Sequence, residues 1–257
     1  MFNLSDKVVL VTGGAGLLGE MHSQAIVENG GKVIIGDINL DATKKVCDAI
    51  NSKYPGKAHS VYLNVLDKTS IQNVLETHSD INVLINNAAI DPKVTDTMGP
   101  SGSFESFSVE EWDLSVDVML KGTFLCSQIF CPYFKKSGGG IVINISSDLG
   151  VIAPDQRIYE RSKKPITYSA AKHGIIGMTK YLATYYADSN IRVNSLSPGG
   201  VYVNQPEDFV ERLTNLIPIG RMAERDEYKG SIVFLCSDAS KYMTGHNLIV
   251  DGGRTVW

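Results

Sequence analysis

Residues 7–20 read KVVLVTGGAGLLGE: a β-branched apolar run, a turn crowded with glycine, and then the opening of a helix. The run Lys7–Thr12 is continuously rather than alternately apolar, which suits a strand covered on both faces. Gly13, Gly16 and Gly19 let the chain turn tightly and bring backbone N–H groups against an anion. The helix beyond adds the partial positive charge of its N-terminus, so strand, turn and helix together predict a pyrophosphate cradle.

The same rhythm continues outward from this unit. Apolar strands are predicted at Lys7–Thr12, Lys32–Gly36, Ala58–Leu63, Ile81–Asn86, Gly140–Ile145, Ile191–Leu196 and His246–Val250. Helical periods lie between them at Leu17–Asn29, Leu40–Ser52, Thr69–His78, Glu110–Phe134, Ser169–Ala187 and Asp226–Ser237. Alternation of this kind implies right-handed crossovers and a doubly wound parallel sheet with helices on both faces. No linker, repeat or low-complexity tract interrupts it, so residues 1–257 are read as one domain. Irregular stretches at 91–108, 150–167 and from 197 to about 206 follow strands, at the edge where open α/β sheets bind ligands.

Composition is that of an ordinary globular chain, 43% hydrophobic and 20% charged, with a net charge of −4. That charge offers no general attraction for nucleic acid or an anionic membrane. The N-terminus lacks the charged and apolar regions of a signal peptide, and no apolar run approaches the roughly 18 residues of a membrane span. Cys47, Cys126, Cys131 and Cys236 have neither metal-site nor disulfide-framework spacing. Buried thiols in a reducing cytoplasm, and no metal, are the expectation.

Asp37 closes the second strand, 18 residues after Gly19. A carboxylate there accepts hydrogen bonds from both hydroxyls of an adenosine ribose and repels a 2′-phosphate, which predicts NAD over NADP. Asn64 and the NNAA stretch (Asn86–Ala89) end the third and fourth strands and are placed beside the same ligand.

The stretch YERSKKPITYSAAK, 159–172, contains two Tyr-x-x-x-Lys pairs. Pro165 disfavours helix at Lys164, so Tyr159 and Lys163 lack a helix long enough to fix their geometry. Tyr168 instead opens a run in which Ala171, Ile175, Met178 and Leu182 recur at helical spacing, with Thr167 as the predicted N-cap. Tyr168 and Lys172 therefore share one helix face, while Tyr159 is read as a lid residue. An ammonium about 5 Å from a phenol, at an effective dielectric of about 20, contributes about 3 kcal/mol toward the phenolate.

Together TGGAGLLG, Asp37, NNAA, ISSDLG, YSAAK, SPGG and the ending from IGRMAERDEYKG to VDGG resemble the short-chain dehydrogenase/reductase family along the whole chain. The resemblance implies a single-domain Rossmann-like fold with a seven-stranded parallel sheet. It also implies reversible hydride transfer between NAD(H) and an alcohol or ketone. Ser147 matches the family's substrate-binding serine, and Tyr168 and Lys172 match its acid–base tyrosine and the lysine that lowers its pKa and binds the nicotinamide ribose. Cofactor contacts are implied for Gly13, Gly16, Leu17, Leu18, Gly19, Asp37, Ile38, Asn64, Val65, Asn87, Ala88, Tyr168, Lys172, Pro198, Gly199 and Val201. Homodimers or homotetramers are implied through the long helices at 110–134 and 167–187.

Three features depart from the family pattern. Leu17 stands where the middle glycine is usual, a spacing commoner in the branch that modifies sugar nucleotides, although the chain ends soon after VDGG without that branch's C-terminal domain. Met119 stands where an asparagine usually helps hold a water near the lysine, leaving the backbone carbonyl to hold it. Ser147 and Tyr168 are 21 residues apart, an elongation that with the loop at 91–108 points to an enlarged polar lid; Asp148, Gln156, Arg157 and Tyr159, and Asn204 and Gln205 after the SPGG turn, are candidate contacts to a polar substrate, although an exposed loop needs no such role. With a likeness to oxidoreductases of the flagellin-modification type, this suggests a carbohydrate-derived substrate. The glycine spacing keeps open an NAD-dependent sugar epimerase or dehydratase. Met119 keeps open an impaired NAD-binding structural or regulatory protein.

Overall fold

The computed structural model describes residues 1–90, 103–159 and 163–257. Seven parallel strands form one sheet: β1 Val8–Thr12, β2 Lys32–Asp37, β3 Ala58–Tyr62, β4 Val83–Asn86, β5 Gly140–Ile145, β6 Ile191–Pro198 and β7 Asn247–Val250. Their order is β3-β2-β1-β4-β5-β6-β7, so the chain reverses direction across the sheet between β1 and β4. That reversal opens a crevice at the carboxyl ends of the strands, where doubly wound sheets bind ligands.

Alternation along β1 shows why the strands read as solidly apolar. Val9 and Val11 enter one buried cluster with Ala25, Ile26 and Ile232, while Leu10 enters the other with Ile34, Leu84 and Phe130. Helices α1 Leu17–Glu28, α2 Leu40–Asn51 and α8 Lys229–Cys236 cover the first face. The second is covered by α3 Lys68–Thr77, α5 Gly122–Lys136 and α6 Ile166–Tyr185. The four cysteines are all buried, and burial pushes the thiols of Cys126, Cys131 and Cys236 up to about 12. At neutral pH these thiols stay protonated and unreactive.

Several expected elements change form. The helix expected over 110–134 is α4 Val109–Val116, a π-helical turn Asp117–Lys121, and then α5. Gly122 N–H bonds back to Asp117, five residues earlier, which accommodates one extra residue without ending the helix. The whole run Val109–Lys136 is, contrary to the reading of its composition, long and apolar enough to cross a membrane. Here Leu125, Phe130 and Phe134 bury against the sheet instead. Helix α6 begins at Ile166 with Pro165 as its N-cap, so Thr167 is a buried first-turn residue rather than the cap. The ring of Pro165 sets its φ at −58°, close to the helical value, while its ψ of 139° is still extended. Helix α7, Glu207–Thr214, lies in a stretch for which no helix was expected, and α8 starts later than its predicted helix. α7 buries Phe209 and Leu213 in a small satellite cluster with Ile158, Tyr159, Ile217 and Met222.

Candidate active site

The glycine turn between β1 and α1 is as tight as its sequence requires. Gly13 has φ +60°, and a Cβ there would lie 2.7 Å from Ala88 Cα. A Cβ on Gly19 would lie 2.5 Å from the carbonyl oxygen of Gly13, so α1 packs directly on the turn. Asn87 holds the turn from β4, donating its side-chain amide to the carbonyls of Thr12 and Gly13, both at 3.0 Å. Gly16 caps α1 without any side-chain acceptor, leaving the first N–H groups of a 12-residue helix facing the crevice. At the end of β2 the Asp37 carboxylate accepts from Ala15 N–H in the turn (3.4 Å) and from Asn39 N–H (3.0 Å). Within the turn Gly14 N–H donates to the Gly36 carbonyl and Gly16 N–H to that of Gly13, so the N–H groups offered to a ligand are those that open α1, and with a carboxylate at one end they suit a dinucleotide.

A second group of side chains lies at the ends of β5 and β6. Lys172, only 3% exposed, donates its ammonium to the carbonyl of Ile145 at 2.9 Å, and the carbonyl of Lys172 accepts from Ser146 Oγ at 2.8 Å. These two bonds fasten α6 to the end of β5. Gly150 allows the approach, because a Cβ there would lie 2.4 Å from Ser146 Oγ and 2.8 Å from the Lys172 carbonyl. Tyr168, one turn before Lys172, holds its ring 5.6 Å from the lysine nitrogen and 4.0 Å from that of Lys164. Ser147 begins the short 3-10 turn Asp148–Gly150, its Oγ accepting from Leu149 N–H (3.1 Å) and donating to Asp148 Oδ1 (2.7 Å).

One cleft of about 400 Å³ joins the two groups, running from Gly13, Gly16 and Asp37 to Ser147, Tyr168 and Lys172. A family model described as enoyl-(acyl carrier protein) reductase matches residues 16–255. The 3-oxoacyl-(acyl-carrier-protein) reductase of Thermotoga maritima is 35% identical, covering 98% of this chain and 99% of its own. The chain belongs to the short-chain dehydrogenase/reductase family. The trans-4-hydroxycyclohexanecarboxylate dehydrogenase of Sinomonas cyclohexanicum is also 35% identical, over 98% of this chain and 94% of its own. The crystal structure of a short-chain dehydrogenase from Leptospira borgpetersenii with bound NAD+ superimposes with a TM-score of 0.85 at 34% identity, covering 98% of this chain and 94% of that one. The protein is therefore a nicotinamide-dependent oxidoreductase of the alcohol–ketone type acting on small molecules.

The cleft is lined by most of the residues predicted for the cofactor: Gly13, Gly16, Leu17, Leu18, Asp37, Asn87, Tyr168, Lys172, Pro198, Gly199 and Val201. Gly19 and Ala88 lie behind the turn rather than in the cleft, as packing partners of Gly13. Asn64 accepts from Leu66 N–H at 3.0 Å and shapes its own turn, while Val65 is buried in the apolar cluster beneath. Ile38 is 67% exposed at the rim.

The expected lid is rearranged. Tyr159 is 7% exposed and packs on Phe209 with ring centroids 5.4 Å apart, which makes it part of the cleft wall rather than of a lid. Arg157 is spent on Asp155, at 2.9 and 2.7 Å. Gln156 clamps the backbone of Lys164, accepting from its N–H at 2.9 Å and donating to its carbonyl at 3.2 Å. Residues 91–102 of the first expected loop and 160–162 of the second lie outside the described residues. Val203 and Gln205 also reach the cleft. Met119 is buried in the π-helical turn, and its carbonyl accepts from Thr123 Oγ1 at 2.7 Å, so one of that oxygen's two acceptor positions is already used.

Sequence reasoning missed Lys164, Phe209, Leu213, Met222 and Arg254 as cleft residues. Phe209 and Leu213 carried a signal: they stand four apart, after Pro206 and two acidic residues, the pattern of a short amphipathic helix. Arg254, three residues from the C-terminus, carried none.

Proposed function

We propose that this protein is an NAD(H)-dependent dehydrogenase of secondary alcohols, working reversibly, with Tyr168 as acid–base, Ser147 holding the substrate oxygen and Lys172 lowering the phenol pKa. The observation that carries the reading is the single cleft in which these three residues lie at one end and Asp37 with the glycine turn at the other. The nicotinamide, when bound, supplies the hydride acceptor or donor. The protein's own residues do the rest. Ser147 orients the oxygen, Tyr168 takes or returns its proton, and the buried Lys172 ammonium favours the phenolate. Pro198 and Gly199 brace the nicotinamide end, where Tyr228 donates its hydroxyl to the Gly199 carbonyl at 3.0 Å. Asp37 favours NAD through the ribose hydroxyls, and no Arg or Lys lies in the glycine turn to hold a 2′-phosphate.

The walls narrow the substrate. Phe209, Leu213, Met222 and the ring of Tyr159 form an apolar side, while the polar residues of 155–157 bond within their own segment. A hydroxyl on an apolar ring fits this lining better than a fully hydroxylated sugar, and the Sinomonas relative is named for a cyclohexane-ring alcohol. Exposed Phe124, Tyr181 and Tyr185 on α5 and α6 favour assembly into a homodimer or homotetramer, read by light scattering. Initial rates of NAD+ reduction across cyclic secondary alcohols, linear polyols and sugars test the substrate class. Cyclic alcohols are expected to give kcat/KM at least tenfold above any sugar, and the reverse order overturns the ring assignment.

A further inference from the structure

Asp148 and Arg254 form a buried ion pair on the cleft wall, 106 residues apart in sequence. Arg254 Nη1 donates to Asp148 Oδ2 at 2.7 Å, with the side chains 6% and 4% exposed. The other carboxylate oxygen, Oδ1, accepts from Ser147 Oγ at 2.7 Å and from Leu149 N–H at 2.8 Å. Every contact is short enough for a charge-assisted hydrogen bond, and together they make one chain from guanidinium to serine hydroxyl. Arg254 is itself held in place: Asp251 accepts from the N–H groups of Gly253 (2.9 Å) and Thr255 (2.8 Å), fixing the turn on either side of it.

We propose that Arg254 is a positioning residue for the reaction, acting through Asp148 to fix the rotamer of Ser147. The inference rests on the assignment of Ser147 as the group that holds the substrate oxygen. A serine side chain has three staggered positions, and only an oriented hydroxyl meets the substrate oxygen reproducibly. Asp148 takes the hydroxyl's one proton and Leu149 N–H takes one of its lone pairs, so together they hold the side chain in the rotamer that lines the cleft, and the proton turns from Asp148 to the substrate oxygen when substrate binds. A lone buried carboxylate beside a reacting oxygen carries a desolvation cost, and Arg254 offsets it with a charge of opposite sign. Arg254 meets Asp148 through one bond, Nη1 to Oδ2, which holds that oxygen and balances its charge while Oδ1 stays turned to Ser147 and Leu149. A pair that merely tied down the C-terminus would not need its carboxylate to touch Ser147.

A double-mutant cycle on the full chain separates the two roles. Arg254→Ala is expected to lower kcat/KM for alcohol oxidation about 10- to 100-fold, with NADH affinity within twofold of wild type, and Arg254→Lys recovers part of the loss. In a Ser147→Ala background the same Arg254→Ala change is expected to cost less than threefold, because the hydroxyl it positions is gone. If Arg254→Ala does not fold, the charge-free pair Asp148→Asn with Arg254→Met replaces it in both backgrounds, with the same pattern expected. Equal losses in both backgrounds, or no loss in either, overturn the inference. If Ser147→Ala alone keeps full activity, the assignment of Ser147 itself has failed, which is a distinct result.

Discussion

The ammonium of Lys172 donates to the main-chain carbonyl of Ile145 at 2.9 Å, which binds the second turn of α6 to the carboxyl end of β5. Lys172 thus has a mechanical role besides the electrostatic one proposed for it, and the two are separable. Lys172→Met removes both the charge and the tether. It is expected to lower kcat at least a hundredfold and also to lower the melting temperature. Lys172→Arg keeps the charge but does not fit the same single-point bond, so it loses activity with a smaller loss of stability. Thermal melts beside initial rates read the two effects. A Lys172→Met protein of wild-type stability would remove the mechanical role.

Gly150 makes that contact possible. In Gly150→Ala the new methyl would sit 2.4 Å from Ser146 Oγ, so β5 and α6 must separate. The change is expected to cost about 1–3 kcal/mol of stability, as overpacking does, and to lower kcat more than tenfold while NADH affinity changes little. Unchanged kcat would mean that the spacing between β5 and α6 does not matter to the chemistry.

Asp37 is the determinant assigned to cofactor choice. A carboxylate about 5 Å from a 2′-phosphate, at an effective dielectric of about 20, opposes it by about 3 kcal/mol, or about a hundredfold in affinity. NADH is therefore expected to bind about a hundredfold more tightly than NADPH, measured by fluorescence titration. Asp37→Ala combined with Ile38→Arg should bring the two within tenfold, since Ile38 already stands exposed at the rim. Equal affinity in the wild type would remove the role of Asp37.

His22 is fully buried in α1, with both ring nitrogens lacking a hydrogen-bond partner among the described residues. Burial lowers its pKa from 6.5 to about 3. In the unfolded chain the ring protonates below about pH 6.5, whereas the folded protein keeps it neutral. The unfolded state therefore binds more protons across pH 3 to 6.5, and stability falls as pH falls through that window. At pH 5 the loss from this residue alone is about 2 kcal/mol. His22→Leu should flatten the fall in melting temperature between pH 7 and 5. An unchanged slope would place the acid sensitivity elsewhere.

Met119 occupies the π-helical turn, buried beside α6. An asparagine there would bury an amide in place of a thioether, at a cost of about 1–3 kcal/mol for each unpaired polar group. Met119→Asn is expected to lower the melting temperature without raising kcat, while Met119→Leu is tolerated. Faster turnover in Met119→Asn at unchanged stability would show that methionine handicaps this enzyme.

Much of this was legible in the sequence because local patterns carried it. Strands β1, β2, β4 and β5 announced themselves through apolar runs rich in β-branched residues, β3 (AHSVY) and β6 (IRVNSLSP) only through their place in the strand–helix rhythm, and Pro165 and the apolar period beyond Tyr168 decided between the two Tyr-x-x-x-Lys pairs. Gln156–Ile158 form only a 3-10 turn and Tyr159 is extended, as the proline implied, yet Tyr159 faces the cleft because Phe209 arrives beneath it from a distant helix. The π turn at Asp117–Lys121 was illegible because one extra residue leaves no break in an apolar helical pattern. Arg254 was illegible for a different reason: its partner Asp148 lies 106 residues away, and only the folded sheet brings them together.

Tyr168→Phe probes the proton-transfer role proposed for Tyr168 at its source, because it removes one oxygen and keeps the ring beside Lys172. The measurement is kcat for a cyclic secondary alcohol with NAD+, taken with NADH affinity on the same protein. A fall of at least a thousandfold in kcat is expected, with NADH affinity within about threefold of wild type. A Tyr168→Phe protein that binds NADH normally and turns over at more than a tenth of the wild-type rate would contradict it.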